Sequence, residues 1–187
     1  MKNNVSVAHL TRPRTIPFQG VVPKIDPSAF IDPTSTIIGD VVIEEDVCIF
    51  AECVIRGDEG QVYISKGTII LDNVSVISVR DNPVHVGAGC LIQIGSLLAG
   101  CQLGDENIVN PNASVLEGTR TGNGCMIEAN SAIPPKREYP SGAVINGSPG
   151  AIKRSLYQSE IDAYRKEMER LRTKAKYYME YYAKNSE

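Results

Sequence analysis

An aliphatic residue recurs every six positions through most of this 187-residue chain. The first run is Ile25, Ile31, Ile37, Ile43, Ile49 and Ile55. After an interruption the beat resumes at Ile64, Ile70 and Val76, restarts at Val86, Ile92 and Leu98, and restarts again at Leu103, Val109 and Val115. It closes with Thr121, Ile127 and Ile133. Four residues after many of these stands a small side chain, among them Ala29, Ser35, Cys53, Thr68, Cys90, Ser96, Ala113, Thr119, Cys125 and Ser131. A period of six matches neither an amphipathic helix nor a simple alternating strand. It fits a triangular solenoid. Each hexapeptide makes one flat face and one corner, and three of them close a coil. The aliphatic residue fills the interior and the small one fits beneath the corner. Stacked coils satisfy each other's backbone groups and bury a continuous core.

The breaks in rhythm predict loops. "RGDEGQVY" (56–63) is polar and Gly-rich, and "VRDNPVH" (79–85) carries Asn-Pro turn chemistry. Between Leu98 and Leu103 the spacing shortens by one residue. Function in repeat proteins concentrates on such loops and on outward faces.

Composition narrows the class. A net charge of −3 argues against a nucleic-acid partner. No apolar run approaches the ~20 residues that cross a bilayer, so no membrane partner is expected. "MKNNVSVAHLTRPR" has no long apolar stretch and does not read as a secretory signal. The five cysteines, 48, 53, 90, 101 and 125, include no CxxC pair. They read as reduced thiols in a cytoplasmic protein, with Cys53, Cys90 and Cys125 pointing inward. Cys48 and Cys101 are not placed by the repeat.

After "GSPG" (147–150) the texture changes to a charged stretch without Gly or Pro. Ser159 followed by Asp162 marks a helix start. Ile161, Tyr164, Met168, Leu171, Ala175, Tyr178 and Tyr182 then form an apolar stripe on a helix of roughly 25 residues. The stripe is expected to pack on the solenoid or on a neighbouring subunit. The spare aromatics of "KYYMEYY" (176–182) are available to a partner chain. The predicted organisation is a lead-in over 1–22, a solenoid over 23–150 and a C-terminal helix over 151–187.

The repeat, the "RGDEG" loop and the "GSPG" exit together resemble the hexapeptide-repeat transferase superfamily. More narrowly, "PKIDPSAFIDPTSTIIGDVVIEEDVCIFAECVIRGDEG" (23–60) is similar to its γ-class carbonic anhydrase branch. The resemblance covers about residues 20–155. It implies a left-handed parallel β-helix and a homotrimer. It also implies three metal-binding histidines on outward faces, two from one subunit and one from its neighbour. Alignment places those ligands at Ile77, Ile94 and Ala99, none of which is histidine. A glutamine of the family's metal pocket aligns with Leu71. The family's arginine and acidic pair persist as Arg56, Asp58 and Glu59, and its turn aspartate as Asp72. A catalytic zinc needs about three protein donors plus an open position, and Ile, Ile and Ala supply none. His9 and His85 are the only histidines in the chain. The apolar replacements point instead to a dry contact between subunits.

Three functional readings follow. The first is a trimeric scaffold or binding protein without CO2 hydration and without a metal. There Arg56, Asp58, Asp72, Leu71, Ile77, Ile94 and Ala99 serve binding or the subunit interface. The second is acyl transfer from acetyl-CoA to an unknown small acceptor. His85 is then the general base, and Asp81 or Glu59 orients it. A catalytic role for Glu59 itself, as a residual proton shuttle, is the companion expectation. The third is carbonic anhydrase chemistry through an unconventional site.

Overall fold

The computed structural model describes residues 13–184. His9 and most of the N-terminal lead-in therefore lie outside the described residues. The rest winds into a triangular left-handed β-solenoid of parallel strands, with one long helix laid along it.

Three faces run the length of the solenoid. On the first, Arg14–Ile16, the start of Thr36–Ile43, the start of Val54–Ile64, Ser75–Ile77, Leu97–Ala99, Ser114–Val115 and Ala132–Ile133 stack in parallel register. The second begins at Lys24–Ile25 and ends at Glu138–Tyr139. The third runs from Phe30–Ile31 to Ala143–Gly147. Thr36–Ile43 and Val54–Ile64 each bend across a corner and serve two faces. Gly39 and Gly57 make that bend possible: a Cβ on Gly57 would sit 2.2 Å from the Asp40 carbonyl oxygen.

Every aliphatic beat from Ile31 to Ile133 lies in one buried core, and Ile25 packs half-buried at its edge. Burial of this continuous apolar column is the main stabilising term, at roughly 25 cal/mol per Å² of apolar area. The small residues after the beats prove to be more than space-savers. Ser35 Oγ donates to Phe50 O, Thr68 Oγ1 to Gly87 O, Ser96 Oγ to Asn110 O and Thr119 Oγ1 to Pro134 O. The thiols of Cys53, Cys90 and Cys125 do the same toward Leu71 O, Gly104 O and Pro140 O. Each donates to a corner carbonyl of the next coil and so ties adjacent coils together. Thr121 is the exception. It occupies an inward beat, and its hydroxyl is buried with no hydrogen-bond partner among the described residues.

Cys101 joins the solenoid core, whereas Cys48 points out of the third face beneath the helix. Burial pushes the Cys48 and Cys53 thiols up to about 11 and those of Cys90 and Cys101 to about 12. Thiolate character, and with it reactivity, is suppressed in all four.

Helix α1 spans Gln158–Lys184. Met168, Leu171 and Ala175 are buried, and they pack with Phe30, Cys48, Phe50, Ile69, Leu71 and Leu91. Tyr164, Tyr178 and Tyr182 flank that cluster. The Tyr164 hydroxyl donates to Gly89 O, and the Tyr182 hydroxyl donates to Asp32 Oδ2 at 2.9 Å. The third face is thus apolar on both sides, and α1 is its cover.

Three boundaries differ from expectation. Arg14–Ile16, assigned to the lead-in, is a solenoid strand, because it pairs with Thr36–Ile38 and closes the end of the first face. Gly150–Ser155, which straddles the expected boundary between solenoid (23–150) and helix (151–187), is a strand antiparallel to Ala143–Gly147, because "GSPG" turns the chain back on itself. The helix opens at Gln158 rather than at a Ser159 cap. Glu160 does the capping: its carboxylate accepts the Tyr157 N–H at 2.9 Å and a bidentate pair of bonds from Arg154 at 2.7 and 2.8 Å.

Candidate functional site

The outward rows of the first face hold three of the residues singled out in the sequence, Arg56, Ile77 and Ala99. Arg56 sits in register with Ile38 on one side and Ile77 on the other, and Ile77 with Ala99 beyond it. Ile16 extends the same row past Ile38. The next row carries Arg14, Thr36, Val54, Ser75, Leu97, Ser114 and Ala132. This face is therefore flat and uncovered by α1, apolar along the Ile38, Ile77 and Ala99 positions, with Arg56 in its midst and Arg14 at its edge. Arg56 Nε donates to Asp58 Oδ1 at 3.1 Å. Its two terminal guanidinium nitrogens have no partner among the described residues. The pair is partly exposed, at 42 % and 23 % of the side chains, so solvent screens much of its attraction.

Ile94 stands at the corner leading into this face and is 49 % exposed. Asp72 shares that corner, where its carbonyl accepts the Gly95 N–H at 3.1 Å. Leu71 is separate from the others. It is buried beneath α1 with Phe50, Met168 and Leu171. One residue beyond an inward beat, the chain is already rounding the corner, so Leu71 faces the helix rather than the first face.

Glu59 is engaged in holding a loop. Its carboxylate accepts the Arg80 N–H at 3.1 Å, and its own N–H donates to Ser78 Oγ at 3.3 Å. The loop it anchors is closed by reciprocal bonds between Val79 and Asn82 and carries Asp81 at a φ of 64°.

His85 lies on the second face, pointing outward and exposed. Its ring stacks on Tyr63, with centroids 5.5 Å apart and planes 16° from parallel. The Tyr63 hydroxyl donates to Glu44, whose other oxygen accepts the Lys66 N–H at 2.9 Å. These bonds hold the Glu44 carboxyl below its ordinary range and push the Tyr63 phenol up. Tyr63, rather than Asp81 or Glu59, is the residue that holds His85. The loop insertion between the two strands hides this Tyr63–His85 register from any fixed sequence spacing.

The residues present do not fit the family's metal centre. Ile77, Ile94 and Ala99 offer no donor atom. Among the described residues, no three His, Cys, Asp or Glu side chains come together where a metal ion could be held.

Comparison with known proteins agrees with this architecture. No family model matches the sequence. A mitochondrial γ carbonic anhydrase 2 of Arabidopsis thaliana is 31 % identical over 162 residues, covering 82 % of this chain and 58 % of that protein. The chain spans little more than half the length of the curated relatives it matches first. Among solved structures, a hexapeptide transferase family protein from Anaplasma phagocytophilum superposes with a TM-score of 0.84 at 28 % identity. The match covers 88 % of this chain and 98 % of that one. A putative acetyltransferase from Bacillus cereus gives a TM-score of 0.75, also at 28 % identity, over 91 % of this chain and 97 % of that one. No helix among the described residues is long and apolar enough to cross a membrane. Repeat, solenoid, covering helix and relatives converge: the chain has the hexapeptide-repeat, left-handed β-helix fold and is similar in sequence to the γ carbonic anhydrases.

Proposed function

We propose that this protein is an assembling scaffold or binding subunit of its family, a homotrimer joined through the first face, and not a CO2 hydratase. The observation that carries this reading is the Ile77–Ala99 register pair. Where the family resemblance places imidazoles, two apolar side chains point outward into a larger apolar surface. An uncovered apolar face on a soluble solenoid is a contact surface in waiting. Arg56 supports the same reading, because its free guanidinium edge suits a carboxylate on another subunit. Without donor atoms no metal-bound water can be acidified toward a pKa near 7. The test is CO2 hydration by stopped flow on protein incubated with zinc and with iron(II), with metal content measured alongside. The reading predicts neither hydration above buffer nor stoichiometric metal. Hydration that tracks a bound metal would overturn it.

A second reading rests on the acetyltransferase likeness and on His85. His85 is exposed on the second face with a polar, aromatic neighbourhood of Tyr63 and Gln102. It would serve as general base toward an acceptor, with acetyl-CoA as donor. Calorimetric titration with acetyl-CoA tests it. Saturable binding, together with acetyl transfer that His85→Ala abolishes, would favour the enzyme. Absence of binding at millimolar ligand would leave the scaffold.

A further inference from the structure

A groove of about 570 Å³ runs between α1 and the corner joining the second and third faces. Its floor is apolar, made by Phe30, Cys48 and Ala175, with Met179 on the rim. Two cations one helical turn apart, Arg172 and Lys176, overhang it. Both side chains are exposed on the helix and border the groove mouth above Cys48. Arg172 spends one N–H on Gly67 O at 3.1 Å, and Lys176 has no partner among the described residues. Across the groove, Lys66 is loosely paired with Glu45 at 3.9 Å.

We propose that this groove binds a monoanionic organic acid with an apolar body, the medium-chain carboxylates being the class that fits. The volume lies within the roughly 300–1,000 Å³ of small-molecule sites, which combine apolar walls with a few orienting polar groups. The carboxylate sits between Arg172 and Lys176 and receives charge-assisted hydrogen bonds. The chain lies along Phe30, Cys48 and Met179. Four carboxylates line the same groove: Glu45, paired with Lys66, Asp105, which accepts the Ala88 N–H, and Asp46 and Glu106. They repel a second negative charge and so restrict the ligand to a monoanion. Neither helix cation lies on the first face, so this site stands or falls independently of the assembly proposed above.

The experiment is calorimetric titration of the whole protein with octanoate, and with octanol and octylammonium as companions. Octanoate should saturate near one site per chain and bind at least about tenfold more tightly than either companion, the scale of one charge-assisted hydrogen bond. Lys176→Gln removes no hydrogen bond or ion pair among the described residues and should weaken octanoate severalfold. Arg172→Gln with Lys176→Gln should weaken it further, with the far-ultraviolet circular dichroism unchanged. Bound octanoate should also slow alkylation of Cys48, the one thiol on the groove floor. Absence of saturation at millimolar octanoate overturns the site. Equal binding of octanol, preference for octylammonium, or an unaltered affinity in the double variant overturns it as well.

Discussion

Ile77 and Ala99 lie opposite each other in adjacent parallel strands, both pointing out of the solenoid, with Arg56 next in the same row. If these positions and Ile94 occupy the place of the family's metal, the site should be recoverable. Ile77→His, Ile94→His and Ala99→His together should bind about one zinc per chain, since three imidazoles and a water complete a tetrahedral site. The parent should bind none. Zinc content after dialysis checks this, and a triple variant that folds and assembles but takes up no metal would count against the placement.

Thr121 puts a hydroxyl where every neighbouring coil has an aliphatic beat, and that hydroxyl is unpaired among the described residues. Thr121→Val removes a desolvated donor without changing the shape, so thermal unfolding should shift upward by the equivalent of about 1–2 kcal/mol. The control is Ile64→Ala, a fully buried beat, which should cost about 2–5 kcal/mol.

The solenoid was legible because its inward beat and its corner position recur with one spacing, and a chain of this length repeats them often enough to set the phase. What the phase cannot convey is which way a residue just past a beat will face. Leu71 follows Ile70 directly yet belongs to the helix cluster, while Ile77, one residue past Val76, stays on the first face. The difference is where the corner falls. The donor role of Ser35, Thr68 and Cys53 was partly visible, since small polar residues recur there, but their acceptors lie a coil away. The stack of Tyr63 on His85 had no signal, because an irregular loop separates the strands. Glu160 was overlooked as a cap because it acts with Tyr157 and Arg154 rather than with a serine.

Glu160 also gives the protein an acid-sensitive fastening. Arg154 and the Tyr157 N–H pull its carboxyl from the ordinary 4.5 down to about 2. A group whose folded pKa is lowered adds stability above its unfolded value, and that stability fades as pH falls through the folded value. The start of α1 should therefore loosen between about pH 4.5 and pH 2, measured as loss of helical circular dichroism at 222 nm (a general helix wavelength). Glu160→Gln should flatten that transition and lower the starting stability at neutral pH.

The thiols should report two openings of different cost. In the native protein all five should react slowly with a disulfide reagent, because burial keeps them protonated. Cys48 lies under α1 and needs only the helix to lift, whereas Cys53, Cys90, Cys101 and Cys125 lie inside the solenoid. Mass spectrometry of timed alkylation should find Cys48 modified first and the other four together, near the global unfolding transition.

The most direct test of the central claim is the mass in solution, by light scattering, of the parent and of Ile77→Asp. A carboxylate in the outward apolar row leaves the solenoid core untouched and should prevent dry contact between subunits. The account predicts three chains per particle for the parent and a single, folded chain for the variant. A parent that runs as a single chain, or a variant that assembles as the parent does, would contradict it.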